Sequence, residues 1–458
     1  MSARKGLWTV GLFGLLCLFS PSQDRPDDLA RVKAENAELR EEVGQLRKDV
    51  EALRNAVAEL KGLLAPKPAP ESVAAAPAVP APTLPPQAVS APEKADRNAV
   101  TSKFKVDLYG YVKLDAAWNT HRVNPGNFAR WVESDAVSPD DAECVITAND
   151  TRVGIDVTGP EMKGVKTTGK LEVDFYGGGT ENRPLPMLRH AYLKLEWPRY
   201  DFSLIAGQTW DVISPLFPYM INYSPTWWSG NIAYRHPQVR LEKGFRLGGG
   251  TRLTLQGAVA RTIGDTLVPS TDTGRDSPLP TFQGRAALQF RGLGGRNVVI
   301  GVSGHRGRDE IDLDTHGRSV TVPSWSGNLD FSFPLSDKVL LKAEIYRGAN
   351  LDEYFGAIGQ GINLATNRAI GDTGGWVSLA MGPWRRWRFN LGGAIDDPND
   401  DDLNVGDRTL NEVYFGNALF DVNAAVQIGL ELSRWHTSYK GRSPGDALRF
   451  QTSFIYRF

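Results

Sequence analysis

The sequence predicts an all-β fold: a transmembrane antiparallel β-barrel of 16 strands, preceded by a parallel coiled coil and a Pro/Ala-rich linker. Three observations carry this. Polar and apolar residues alternate with period two along 102–458, so charges fall between apolar residues rather than opposite one core. Connections between candidate strands alternate between long and short. The chain ends on an apolar stripe whose last residue is Phe458. Composition excludes other classes. The 52 basic and 53 acidic groups leave a formal charge of −1, which gives no footing for bulk nucleic-acid binding. The 12 Trp, 13 Tyr and 19 Phe offer too much apolar area for a disordered chain. Two cysteines cannot make a disulfide scaffold.

Residues 1–22 read as a signal peptide. Arg4 and Lys5 precede an apolar run from Gly6 to Phe19, too short for the ~20 residues of a membrane helix. The small residues Ser20 and Ser22 suit cleavage after Ser22. Cys17 invites a lipoprotein reading, but Leu16 stands where a small residue is expected.

Residues 23–64 read as a coiled coil. Leu29, Asn36, Val43, Val50, Val57 and Leu64 occupy a positions; Val32, Leu39, Leu46, Leu53 and Leu60 occupy d positions. Acidic g residues (Glu35, Glu42, Asp49) face the following basic e residues (Arg40, Arg47, Arg54) of a parallel neighbour. Val at a with Leu at d leans towards a dimer. Residues 65–101 form the linker, with nine prolines between Ala65 and Ala99. Read as polyproline II, about 35 residues reach on the order of 100 Å.

The barrel domain is 102–458. Its first segment, FKVDLYGYVKLDAAW, sets Val106, Leu108, Val112, Leu114 and Trp118 on one face and Lys105, Asp107, Lys113 and Asp115 on the other. Candidate strands lie near 104–118, 151–158, 165–176, 187–197, 200–209, 236–244, 251–260, 282–290, 296–305, 319–333, 338–347, 373–381, 386–396, 409–417, 422–434 and 446–458. Connections after even-numbered strands are short; those after odd-numbered strands are long, including 210–235, 306–318, 348–372 and 435–445. An even count puts both ends on the periplasmic side, and the coiled coil with them. In the last strand Phe454, Tyr456 and Phe458 share one face, an arrangement expected to serve as a membrane assembly signal.

An exported chain with a coiled coil, a Pro/Ala linker and this barrel resembles the DcaP-like porins of Gram-negative outer membranes. The stretch PMLRHAYLKLEW followed by FSLIAGQTWDVISPLFP is similar to that family's paired strand and pore-loop region. The resemblance implies a homotrimeric, passive channel for small anionic solutes, dicarboxylates among them. Expected surroundings are outer-membrane lipid, lipopolysaccharide, the barrel-assembly machinery and peptidoglycan.

Pore geometry then becomes the functional question. The segment WDVISPLFPYMINYSPTWW carries a single charge, Asp211, and is too apolar for a loop bathed in water. It is expected to fold into the barrel as a constriction presenting Trp210, Asp211, Phe217, Tyr219, Tyr223 and Trp227. Alternation turns Arg152, Arg240, Arg252, Arg285 and Arg388 into the lumen, alongside lysines and acids that pair with many of their neighbours. Arg240, Arg252 and Arg285 lie on successive strands after the loop and are the first candidates for anion selectivity, with Glu242 a possible neutraliser of Arg240. The acidic stretch 395–404 lacks ordered metal-ligand spacing and reads as a solvated loop; no metal or cofactor is expected. His190 faces inward without a serine in a convincing context, and no catalytic motif appears, so the chain does not read as an enzyme. Cys144 is assigned to the first long loop as an unpaired thiol. The alternative function is a structural anchor whose coil and linker reach towards peptidoglycan, with a sealed or incidental pore.

Overall fold

The computed structural model describes residues 104–139, 141–180, 183–261, 277–312 and 319–458; the expected signal peptide, coiled coil and linker lie outside them. Sixteen strands close one antiparallel barrel. They are β1 (Lys105–Asn119), β2 (Glu143–Thr147, resuming at Arg152–Thr158), β3 (Lys166–Asp174), β4 (Met187–Trp197), β5 (Phe202–Trp210), β6 (Arg235–Gly248), β7 (Thr251–Ala260) and β8 (Thr281–Arg291). The second half comprises β9 (Asn297–Asp312), β10 (Ser319–Ser336), β11 (Val339–Ala349), β12 (Gly371–Trp384), β13 (Trp387–Pro398), β14 (Arg408–Asp421), β15 (Val426–Tyr439) and β16 (Arg442–Arg457). Each strand pairs with the next. β1 pairs with β2 on one edge (Asp107 opposite Asp156) and with β16 on the other (Leu114 opposite Phe454), so no edge is left open.

The alternation read from the sequence is an inside-out pattern. On β1, Val106, Leu108, Val112 and Leu114 are exposed on the outer wall, whereas Lys113, Asp115 and Asn119 are buried inside. Aromatic pairs lie near the membrane rims: Trp197 with Phe202 and Trp387 with Phe420 beside short turns, and Trp118 with Phe450 towards the opposite end. The tight β6–β7 turn runs through Gly248, Gly249 and Gly250 with φ of +87°, +57° and +78°, which side chains rarely tolerate. At the end of the chain, Phe454, Tyr456 and Phe458 are all exposed on the outer wall. Phe458 exchanges two 3.1 Å backbone bonds with Gly110, so the final residue still belongs to the ladder.

All sixteen expected strands are present, but several boundaries move. Residues 143–147 extend β2, which places Cys144 on the outer barrel wall rather than in a loop. β9 continues to Asp312 and β15 to Tyr439, so the connections expected over 306–318 and 435–445 shrink to 313–318 and a turn at 440–441. The reason lies in the extensions themselves. At this end of β15 and β16 the outward side chains Arg434, His436 and Asp446 interact with one another and interrupt the apolar stripe that marks a strand in lipid.

Candidate functional site: the barrel lumen

The loop 211–234 leaves β5, crosses the lumen and returns to β6. Pro215, Pro218 and Pro225 cannot donate to a ladder, and Ser214, Thr226 and Trp228 take left-handed φ of 41°, 63° and 62°, so the segment turns repeatedly instead of extending the sheet. Its backbone is held by buried side chains of the far wall. Leu216 N–H donates to Glu344 Oε1 (2.8 Å), and Ile221 N–H to Glu431 Oε2 (2.8 Å). Lys113 Nζ donates to the Ile221 carbonyl (2.8 Å), Asn417 Nδ2 to that of Tyr219 (2.8 Å), and Lys342 Nζ to that of Phe217. The loop thus leans on β11, β14, β15 and β1, while Tyr223 and the Val212 N–H tie it to Asp174 of β3 and Gln283 of β8.

Aromatic packing stiffens the loop. Trp210 lies 4.7 Å from Phe217 and 5.8 Å from Trp227, ring centroid to centroid, and Tyr223 lies 3.9 Å from Tyr176. The Arg235 guanidinium sits 4.5 Å from the centre of the Trp210 ring, and the Lys342 ammonium 3.8 Å from that of Tyr219. Burial pushes the Tyr223 phenol above its ordinary ionisation range, and nearby Asp174 acts in the same direction; the neutral hydroxyl donates to Asp174 (3.1 Å). Asp211 departs from expectation. It is buried and occupied by His236 Nδ1 (2.9 Å), Gln283 Nε2 (2.8 Å) and the Tyr234 N–H (2.8 Å), so it braces the loop base and offers no charge to the pore.

The expected selectivity arginines all face inward but differ in height and company. Arg240 sits at the loop: it donates to the Trp210 carbonyl and to Gln238 Oε1 (3.0 Å), and among the described residues no carboxylate pairs with it. Glu242 instead accepts from Gln256 Nε2 (2.8 Å). Arg285, level with Gln256, is clamped by Asp330 through two bonds of 3.0 and 2.6 Å. Arg252 is four residues nearer the short turn than Gln256, about 13 Å along the strand. It pairs there with Asp201 (2.6 Å). Arg388 likewise pairs with Asp421 (2.7 Å) near a short turn. Arg152 lies within 4 Å of Asp150, Glu172 and Asp174. The placement of Arg252 and Arg388 corrects the expectation: strand parity fixes the face of a residue, not its height.

No protein-family profile and no curated protein matches the chain. Solved structures do. The outer-membrane channel DcaP of Acinetobacter baumannii superposes with a TM-score of 0.62 at 22% identity, covering 78% of this chain and 98% of that one. The two chains share a fold. An anion-selective porin from Comamonas acidovorans gives 0.51 at 12% identity, covering 78% and 100%, and OmpF of Salmonella typhi gives 0.52 at 13%, covering 78% and 99%.

The barrel holds groups that the sequence did not single out. Arg189 is the extra residue of a β-bulge between β3 and β4, where Glu172 faces His190 and Val173 faces Leu188. The bulge turns its guanidinium inward onto Glu172 (2.8 Å) and Asp174 (2.6 Å). A reading by strict alternation puts it outside. Glu344 and Glu431 were visible only as inward acids; their role as acceptors for the loop appears in the fold. A second inward segment, 350–370, packs Phe355 on Trp228 at 4.2 Å.

Proposed function

We propose that this chain is a passive outer-membrane porin for small hydrophilic solutes, with a preference for anions, acting as a homotrimer. The observation that carries the anion preference is Arg240. It faces the lumen beside the base of the crossing loop, and its guanidinium is met by neutral oxygens rather than a carboxylate. A charge about 5 Å from a passing ion contributes roughly 1–3 kcal/mol at effective dielectrics of 80 down to 20. That is enough to sort ions, while binding stays weak enough for release. Glu242 opposes it one inward step away, about 7 Å nearer the short turns along the strand. Selectivity is set where the passage is narrowest, which favours Arg240. The heptads over 29–64 support parallel self-association. Lipid, lipopolysaccharide and the barrel-assembly machinery complete the proposed surroundings, with peptidoglycan within reach of the linker.

The test is the reversal potential across a salt gradient in planar bilayers. Wild type is expected to favour the anion, and Arg240→Ala to shift the potential towards the cation. A cation-selective wild type, or an unshifted potential in a folded Arg240→Ala variant, removes Arg240 from this role and leaves a general diffusion pore.

A further inference from the structure

The segment 350–370 follows β11 and does not project outwards. It turns into the barrel mouth and closes over the loop 211–234. Trp228 N–H donates to the Phe355 carbonyl (2.8 Å) and Ala233 N–H to that of Tyr354 (3.0 Å), so one loop is pinned to the other through backbone bonds. Phe355, Ala357 and Ile358 have φ of 65°, 49° and 52°. None is glycine, and Ile358 is β-branched, which makes the left-handed conformation a strained one that its surroundings must impose.

Two buried carboxyl groups on neighbouring strands sit where that strain is greatest. Asp372 of β12 accepts the Ala357 N–H at 2.7 Å, and Asp396 of β13 accepts the Ile358 N–H at 3.2 Å. Both are under 5% exposed, and the two carboxyl groups lie against each other and the Tyr346 hydroxyl. Arg408 completes the hold from β14, with Nε donating to the Ile358 carbonyl (3.1 Å). Acidic side chains placed inside a barrel wall, with their accepting oxygens turned to consecutive N–H groups of one loop, have a positioning function. The apolar loop tip alone does not call for them.

We propose that 350–370 is a second constricting segment, and that Asp372 and Asp396 are positioning residues that latch it in its inward, strained conformation. It stands as a cap on the outer side of the loop 211–234 and helps to set the size limit for solutes. This rests on the porin reading given above. When the two N–H acceptors are lost, the strained turn relaxes and the cap withdraws from the passage.

Single-channel conductance of the full exported chain tests this, with liposome swelling by uncharged sugars as the size readout. Asp372→Ala with Asp396→Ala is expected to raise conductance roughly 1.5-fold or more and admit larger sugars. Asp372→Asn with Asp396→Asn keeps one accepting oxygen at each position and is expected to restore wild-type values. A folded alanine pair with unchanged conductance and sugar cut-off overturns the latch. So does an asparagine pair that opens the pore as far as alanine does. If the alanine pair does not fold, replacing 352–361 by a glycine linker decides: a wider pore supports the cap, and an unchanged one overturns it. Failure of the porin reading is separable, because the wild-type chain would then carry no current at all.

Discussion

Replacing Glu431 by alanine should loosen the crossing loop without unfolding the barrel. The Glu431 carboxylate accepts Ile221 N–H (2.8 Å), Asn417 Nδ2 (2.9 Å) and, more weakly, Asn222 N–H (3.4 Å). Asn417 belongs to the wall, so the loop itself is held by the Ile221 and Asn222 N–H groups; a hydrogen bond to a charged acceptor contributes about 1.5–3 kcal/mol, which is roughly what the short Ile221 bond adds to holding the loop on the wall. Even the lower figure changes the balance between docked and displaced loop by on the order of 10-fold. Release is local, because Leu216 stays bound to Glu344, and the Ile221 carbonyl keeps Lys113 Nζ and Gln451 Nε2 (3.1 Å). The expected signature is added open-channel noise and brief substates in single-channel records, while heat-modifiable gel mobility still reports a folded barrel. Glu431→Gln should fall between, since its amide keeps one acceptor but turns an NH2 towards a donor. A folded Glu431→Ala channel as quiet as wild type, at the same conductance, refutes the reasoning: the loop would then be held by its aromatic packing and the far wall would be incidental.

Three further outcomes follow from the same geometry. Deleting Phe458 removes the two backbone bonds to Gly110 and one exposed aromatic, and should lower the amount of folded protein in the outer membrane, as measured on membrane fractions; unchanged levels count against an assembly role. Gly207→Val should cut the yield of folded barrel, because Gly207 has φ +132° and an added Cβ would stand 2.2 Å from the Ala191 carbonyl oxygen; normal yield would show that β5 can shift to make room. Arg252→Ala, near the short-turn mouth and paired with Asp201, should move the reversal potential less than Arg240→Ala does. An equal or larger shift would relocate the selective level of the pore.

The barrel was legible because its physics is written with period two. In β1, Val106, Leu108, Val112 and Leu114 face out and Lys113 and Asp115 face in, where Lys113 pairs with Asp115 and Asp150 instead of meeting lipid. The crossing loop was legible for the opposite reason: prolines and aromatics without charge do not suit an exposed connection. Three things were not legible. Parity assigns Arg240, Arg252 and Arg285 to one face, but their heights depend on strand stagger, and their partners (Gln238, Asp201 and Asp330) come from other positions or strands. Arg189 escaped because a bulge breaks the alternation that reading relies on. The cap at 350–370 escaped because Asp352 and Glu353 make its sequence look solvated, although Tyr354 and Ile358 are buried against the wall and the other loop.

The most direct test of the account is the current carried by the wild-type chain in a planar bilayer under a salt gradient. A lumen crossed by one loop and capped by another, with Arg240 met by neutral oxygens beside the crossing loop, predicts stepwise, ohmic conductance with a reversal potential on the anion side. An electrically silent protein that is nevertheless folded and inserted would contradict the porin reading and favour a sealed barrel acting as an anchor for its N-terminal segments.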